Sequence, residues 1–243
     1  MKIIVLSKTD YKEKDTILNA ISETELISFK VHGGQSVTSP FLFLNNPLTI
    51  ADVEFVDNPR YTSKILKSAK LLYTPLESGD SLNNLLSINL IAEAVNKLLP
   101  DEDKHLMFND IESFFLENKE NNDYLLSQLL FLSRISEKAG YGLQVDECVR
   151  CGSKKEIVAF SFSEGGFICK NCLEEDIPID LTGQQMKILR YVVKAVNYHQ
   201  FIEDHANDGI SKDDKKALLV KFAAFTDDII GVKLNSIDLI LKN

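Results

Sequence analysis

Four cysteines, the only ones in the chain, stand in two Cys-x-x-Cys pairs: Cys148-Val-Arg-Cys151, followed by Gly152, and Cys169-Lys-Asn-Cys172. One such turn aims two thiolates at a single ion, and two turns joined by a short hairpin complete a tetrahedral four-sulfur shell. The expected ion is zinc, one per chain, held by Cys148, Cys151, Cys169 and Cys172. Gly152 stands where a knuckle's backbone needs a left-handed conformation, and Gly165-Gly166 supply a turn before the second pair. Between the pairs, Ile157-Val-Ala-Phe160-Ser-Phe162 and Phe167-Ile168 read as the strands of one hairpin. The same four residues also admit scattered buried cysteines or two disulfides. A catalytic zinc keeps one position open to water, usually among histidine or carboxylate ligands; four thiolates close the shell, which makes the expected site structural. The zinc-deaminase signature is absent, because neither pair follows a proline and no histidine begins a His-x-Glu.

At 243 residues and 44% apolar content, the chain can bury one large core or two ordinary ones. The apolar run Ile3-Ile4-Val5-Leu6 ends at Ser7 and no apolar stretch reaches membrane-spanning length, so neither a signal sequence nor a membrane association is expected. A reducing cytoplasm is the expected compartment, and it suits thiolate ligands. The net charge of −9 argues against a strong nonspecific grip on DNA. It is unevenly spread: residues 1–75 hold nine Lys/Arg and eight Asp/Glu, so the excess of acid lies in the remainder.

The first seventy-odd residues alternate as strands do. Ile3–Leu6, Leu26–Val31, Phe41–Leu44 and Leu48–Val56 read as strands of a small β-barrel, with breakers at Gly33-Gly34, Pro40, Asn45-Asn46-Pro47 and Asp57-Asn58-Pro59. Asp15–Ile21 reads as a short helix. Ser63–Tyr73 fits a helical face through Ile65, Leu66, Ala69 and Leu72, yet the barrel needs a closing strand, and strand is the preferred reading.

After Thr74-Pro75 the period becomes helical, placing a domain boundary near residues 75–80: a barrel over 1–76 and a helical domain over 77–243, with the cysteine hairpin inserted at about 145–175. The spacing predicts helices over Ser81–Leu99, about His105–Asn118 and Asp123–Ala139. Apolar residues nearly all round make the first a buried, central helix. Gly140 is a C-terminal cap. Beyond the cysteines, Thr182-Gly-Gln-Gln185 reads as a capping box with Leu181 and Met186 as its staple, and Ser211 caps a last long helix that Gly231 ends.

This order of parts, together with particular residues, resembles the bacterial RecO recombination-mediator family. Val5-Leu6-Ser7 and Asp10-Tyr11-Lys12-Glu13-Lys14-Asp15-Thr16-Ile17-Leu18 look like that family's opening strand and Tyr-x-Glu-x-Asp segment. Cys148-Val-Arg-Cys151-Gly152, Phe162-Ser163, Gly165-Gly166 and Cys169-Lys-Asn-Cys172 look like its zinc-bearing members, and Gly231-Val-Lys-Leu-Asn-Ser236-Ile-Asp-Leu is similar to its closing stretch. The resemblance implies an α+β protein with an N-terminal OB-fold and a helical C-terminal domain. It implies binding of single- and double-stranded DNA, annealing of complementary strands, and work with RecR and single-strand-binding protein so that RecA can load. One departure stands out. Family members often carry an Arg/Lys-rich loop after the second main strand, whereas His32-Gly-Gly-Gln35-Ser-Val-Thr38-Ser39 has neither residue.

A strand-binding barrel needs cations for phosphate and aromatic faces for bases. Lys8, Tyr11, Lys12 and Lys14 near the first turn, with Lys30 and His32 on the second main strand and its exit, are the candidates. Lys12 and Lys14 alternate with Glu13 and Asp15, which also reads as a neutral solvated edge, and Lys64, Lys67 and Lys70 read as a solvated face. His105, His199 and His205 have no metal-spaced partner and read as structural or surface residues. Ser211 and Ser236 lack any nucleophile signature, and no P-loop is present, so catalysis and ATP chemistry are not expected. The expected function is therefore a non-enzymatic DNA repair mediator. The alternative is a zinc-stiffened protein-interaction module with little DNA binding of its own.

Overall fold

The computed structural model describes residues 1–56, 64–77, 81–117, 123–205 and 209–242. They form two compact units, Met1–Phe115 and Leu116–Asn243.

In the first unit, strands β1 (Lys2–Tyr11), β2 (Asp15–Ile21), β3 (Leu26–Val31), β4 (Ile50–Phe55) and β5 (Lys64–Tyr73) close into a barrel in the order β1-β2-β3-β5-β4. This is a five-stranded OB-fold. Strand β1 pairs antiparallel with both β2 (Ile4 with Ile21) and β4 (Ile4 with Ile50), so the sheet has no free edge there. Strands β3 and β5 close the other side in parallel, Phe29 opposite Lys64. Inward positions of every strand fill the barrel: Ile3 and Val5, Leu18 and Ala20, Ile27 and Phe29, Ala51 and Val53, and Leu66.

Two segments exchange roles relative to the sequence reading. Asp15–Ile21, expected as a helix, is β2: Thr16, Leu18 and Ala20 are buried while Asp15, Ile17 and Asn19 are only partly so, the period of two that belongs to a half-buried strand. A tight turn with Lys12 at φ +54° folds β2 back on β1, and tertiary pairing overrides the short helical pattern. Phe41–Leu44, expected as a strand, contains the start of a 3-10 turn over Leu42–Asn45. Pro40 and the Asn45-Asn46-Pro47 run leave no room for a ladder, and Leu44, Phe41 and Phe43 instead pack on the barrel core. Strand is correct for Lys64–Tyr73. The expected Asp57-Asn58-Pro59 turn, Ser63 and Asn118 lie outside the described residues.

The same unit takes in helix α1 (Ser81–Leu98) and most of helix α2 (Phe108–Glu117), joined through a 3-10 segment at Asp101–Met107. Helix α1 is not buried all round, for Leu82 and Leu85 are about half exposed. Helix α2 starts later than expected, because His105 closes its Nδ1 on the Glu102 carbonyl (2.6 Å) within the 3-10 segment. Phe108, Ile111, Phe114 and Phe115 are buried as the spacing predicts. Lys2 Nζ reaches both Glu112 carboxylate oxygens (2.6 and 2.8 Å), tying β1 to α2.

The second unit is organised on helix α3 (Tyr124–Lys138), whose side chains from Leu126 to Leu132 are buried without a break. The Asp123 carboxylate accepts from the Leu126 N–H at its start, and Gly140 (φ +89°) follows its end. Hairpin strands β6 (Ile157–Ser161) and β7 (Gly166–Cys169) come next, then helices α4 (Gly183–Lys194), α5 (Tyr198–His205), α6 (Lys212–Ala224) and α7 (Asn235–Leu241). The capping box at α4 forms as read: Gln185 N–H donates to Thr182 Oγ1 and Thr182 N–H donates to Gln185 Oε1. Ser211 caps α6, which passes into a π turn at Phe225–Ile229 before Gly231 (φ +78°). Helices α5 and α7 are additions to the sequence reading, each about two turns long and too short to show a period.

Candidate metal centre and nucleic-acid face

The hairpin brings the two Cys-x-x-Cys turns together. The ligand atoms of Cys148, Cys151, Cys169 and Cys172 all lie within 4.8 Å of one another, and Cys151 Sγ is 3.6 Å from Cys169 Sγ. A tetrahedral shell with metal–sulfur bonds of about 2.3 Å has sulfurs about 3.8 Å apart, so this arrangement fits one ion. All four are free thiols, which removes the disulfide reading. Scatter is removed too.

Local backbone chemistry sets this geometry. Gly152 N–H donates to the Cys148 carbonyl (2.8 Å) and Cys148 N–H to the Ser153 carbonyl (2.9 Å), closing the first turn around Gly152 at φ +72°. Cys172 N–H donates to the Cys169 carbonyl (3.0 Å) in the second. The Arg150 guanidinium, between the first two cysteines, clamps Glu164 in the hairpin turn (3.0 Å) and Glu174 beyond the last cysteine (3.0 Å). The expected role of Gly165-Gly166 divides in two. Gly165 supplies the left-handed turn (φ +78°), whereas Gly166 supplies space: a Cβ there would lie 2.4 Å from the Gln144 carbonyl oxygen. Gln144 runs alongside β7, its N–H donating to Gly165 and its carbonyl accepting from Phe167. Ala159, Ile168 and Ile177 form a small core under the site, with Val149, Cys172 and Leu173 against it.

The thiols are electrostatically unequal. Burial pushes Cys148 up, but the Cys169, Arg150 and Cys151 backbone N–H groups aimed at its sulfur outweigh this and bring it to about 6. Cys172, hydrogen-bonded to Cys151 and partly desolvated, is pushed up to about 12. Four sulfurs this close cannot all ionise against one another; a bound dication reverses this, because a coordinating thiol is deprotonated outright.

On the barrel, four of the six candidate strand-binding residues converge. Tyr11 ends β1 opposite Asp15 at the start of β2, its ring exposed. Lys12 Nζ lies 5.3 Å and Lys30 Nζ 5.2 Å from the ring centroid. Lys30 also reaches Asp15 Oδ2 (2.7 Å), and His32 Nδ1 lies 3.5 Å from the same oxygen. The Lys30 ammonium, with the Gly33 N–H (3.0 Å), holds the Asp15 carboxyl down at about 2. Lys8 stands apart, 4.0 Å from Asp10, and Lys14 is exposed with no ion-pair partner among the described residues. Lys64 and Lys67 pair with Glu25 and Glu54, as a solvated face does. The side chains of His199 and His205 lie outside the described residues.

Asp15 is the residue the sequence reading undervalued. In the chain it looks like one charge of an alternating edge; in the fold it joins Lys30, His32 and Gly33. The signal was available in the pairing, since a strand at 15–21 antiparallel to 26–31 sets Asp15 beside His32 and diagonal to Lys30.

The family model described as "Recombination protein O C terminal" matches residues 79–197. The chain is similar to "DNA repair protein RecO" of Halalkalibacterium halodurans, 24% identical over 96% of this chain and 90% of that protein. It is also similar to the proteins of that name from Caldicellulosiruptor bescii, 28% identical over 74% and 75% of the two chains, and Bacillus cereus, 24% identical over 96% and 92%. The OB-fold barrel, the helical region that the model matches and relatives that run nearly end to end all support the RecO family of DNA repair proteins.

Proposed function

We propose that this protein is a non-enzymatic recombination mediator that binds and anneals DNA and, with RecR, helps exchange single-strand-binding protein for RecA. The observation that carries the reading is the exposed Tyr11 ring flanked by Lys12 and Lys30 on an OB barrel, an aromatic face for a base beside cations for phosphate. Residues 1–76 are the DNA-binding domain, with Lys8, Tyr11, Lys12, Lys14, Lys30 and His32 as its contacts to single- and double-stranded DNA. Residues 77–243 are the helical domain, with the zinc hairpin at about 145–175. One structural zinc bound by Cys148, Cys151, Cys169 and Cys172 locks that hairpin; its shell, filled by four thiolates, leaves no position for substrate. The protein acts in the cytoplasm, on the nucleoid when bound to DNA.

A second reading, an interaction module whose DNA grip comes mostly from a partner, is favoured by one observation. Lys8 and Lys30 already face carboxylates of their own barrel. Both readings are tested by annealing of complementary oligonucleotides coated with single-strand-binding protein, with and without RecR. Annealing by the chain alone supports the mediator with its own DNA surface. Annealing only with RecR selects the second reading, and none under either condition would overturn both.

A further inference from the structure

The Asp15 carboxylate sits in an anion site built by other residues. Its Oδ1 accepts the Gly33 N–H at 3.0 Å, and its Oδ2 accepts the Lys30 ammonium at 2.7 Å with His32 Nδ1 3.5 Å away. Gly33 holds φ +66°, the left-handed conformation that turns its N–H inward. Gln35 fastens the same corner by donating its side-chain amide to the Asp15 and Lys12 carbonyls (2.6 and 3.3 Å). An ammonium, an imidazole and a backbone N–H converging on one oxygen pair are the donor set that proteins offer to a phosphate. Beside it lie the Tyr11 ring and Lys12. The Asp15 and Lys30 side chains retain only about a fifth of their exposure, so the pair is partly shielded from salt, whereas the His32 side chain stays open.

We propose that Asp15 is a built-in competitor for the nucleic-acid backbone: its carboxylate fills a phosphate subsite made by Lys30, His32 and Gly33, and a strand binds there only by displacing it. The inference rests on the barrel being the DNA face and adds to it a device that sets the affinity. A carboxylate neutralises Lys30 without releasing a counterion, so Lys30 contributes little to binding until the clasp opens. The weak grip expected of an acidic chain thus has a local cause, and a factor that draws Asp15 away would raise affinity without adding a cation.

The test compares full-length wild type, Asp15→Asn and Asp10→Asn in binding a labelled single-stranded oligonucleotide across a salt series. Both substitutions remove one negative charge beside a lysine, but only Asp15 occupies the donor set. Asp15→Asn is expected to bind about tenfold more tightly, with a salt slope steeper by about one unit, and Asp10→Asn to change affinity by about twofold or less. Equal effects of the two, in a chain whose binding still requires Lys12, would overturn the inference while leaving the DNA face intact. Loss of any Lys12 requirement would overturn the DNA face itself. Should Asp15→Asn fail to fold, the Gly33 amide resonance of the wild type decides. A shift on adding the oligonucleotide supports displacement, and an unmoved resonance at saturation overturns it.

Discussion

Cys151 Sγ lies 3.6 Å from Cys169 Sγ, although one cysteine ends the first knuckle and the other closes strand β7. A single ion held between the two turns would therefore join both ends of the hairpin. Cys151→Ser removes one ligand and is expected to lower stability by several kcal/mol, in keeping with loss of a structural metal. Elemental analysis should find one zinc per wild-type chain and less in the variant. An unchanged melting curve, or wild type without zinc, would contradict this.

Gly166 faces the Gln144 carbonyl and Val149 Cγ1 at distances of 2.4 and 2.7 Å from an added Cβ, so both neighbours must move for any side chain. Gly166→Ala is expected to cost about 2 kcal/mol by overpacking. Gly183→Ala, at the open first turn of α4, is expected to change stability by less than about 0.5 kcal/mol. Denaturant melts of the two variants measure the contrast, and equal effects would mean that the Gln144 contact is not rigid.

Asp15 is held at about 2, below the ordinary unfolded value of about 3.9. Because the folded value is depressed, its contribution to stability is present above about pH 4 and is lost as pH falls through about 2. The stability gap between wild type and Asp15→Asn should therefore narrow over that interval. Acid-titrated melts that show a constant gap would contradict the ion-pair account.

Thr182 and Gln185 satisfy each other's backbone N–H at the start of α4. Thr182→Ala is expected to destabilise the helical unit by about 1 kcal/mol, and Thr182→Ser to restore most of it. Urea midpoints read both.

What the sequence made legible was chemistry carried by spacing. Cys148, Cys151, Cys169 and Cys172 announce a shared site because only a turn holds two sulfurs two residues apart, and Thr182-x-x-Gln185 announces a cap by the same local logic. Phe108, Ile111, Phe114 and Phe115 give α2 its face. What stayed hidden depends on partners distant in sequence. Asp15–Ile21 is a strand because β1 and β3 flank it, and Phe41–Leu44 leaves the ladder because Pro40 and Pro47 bracket it while the barrel core takes its side chains. Asp15 looks like an edge charge until Lys30, His32 and Gly33 close on it.

We propose that DNA meets this chain on the barrel face around Tyr11. It is tested most directly by single-strand affinity across a salt series for wild type and for the Lys12→Ala, Lys14→Ala double variant. The wild type is expected to bind weakly and with strong salt dependence, and the double variant to show a salt slope flatter by about two units. Tight binding by the wild type at physiological salt, unaffected by the double substitution, would place the DNA surface elsewhere and contradict the account.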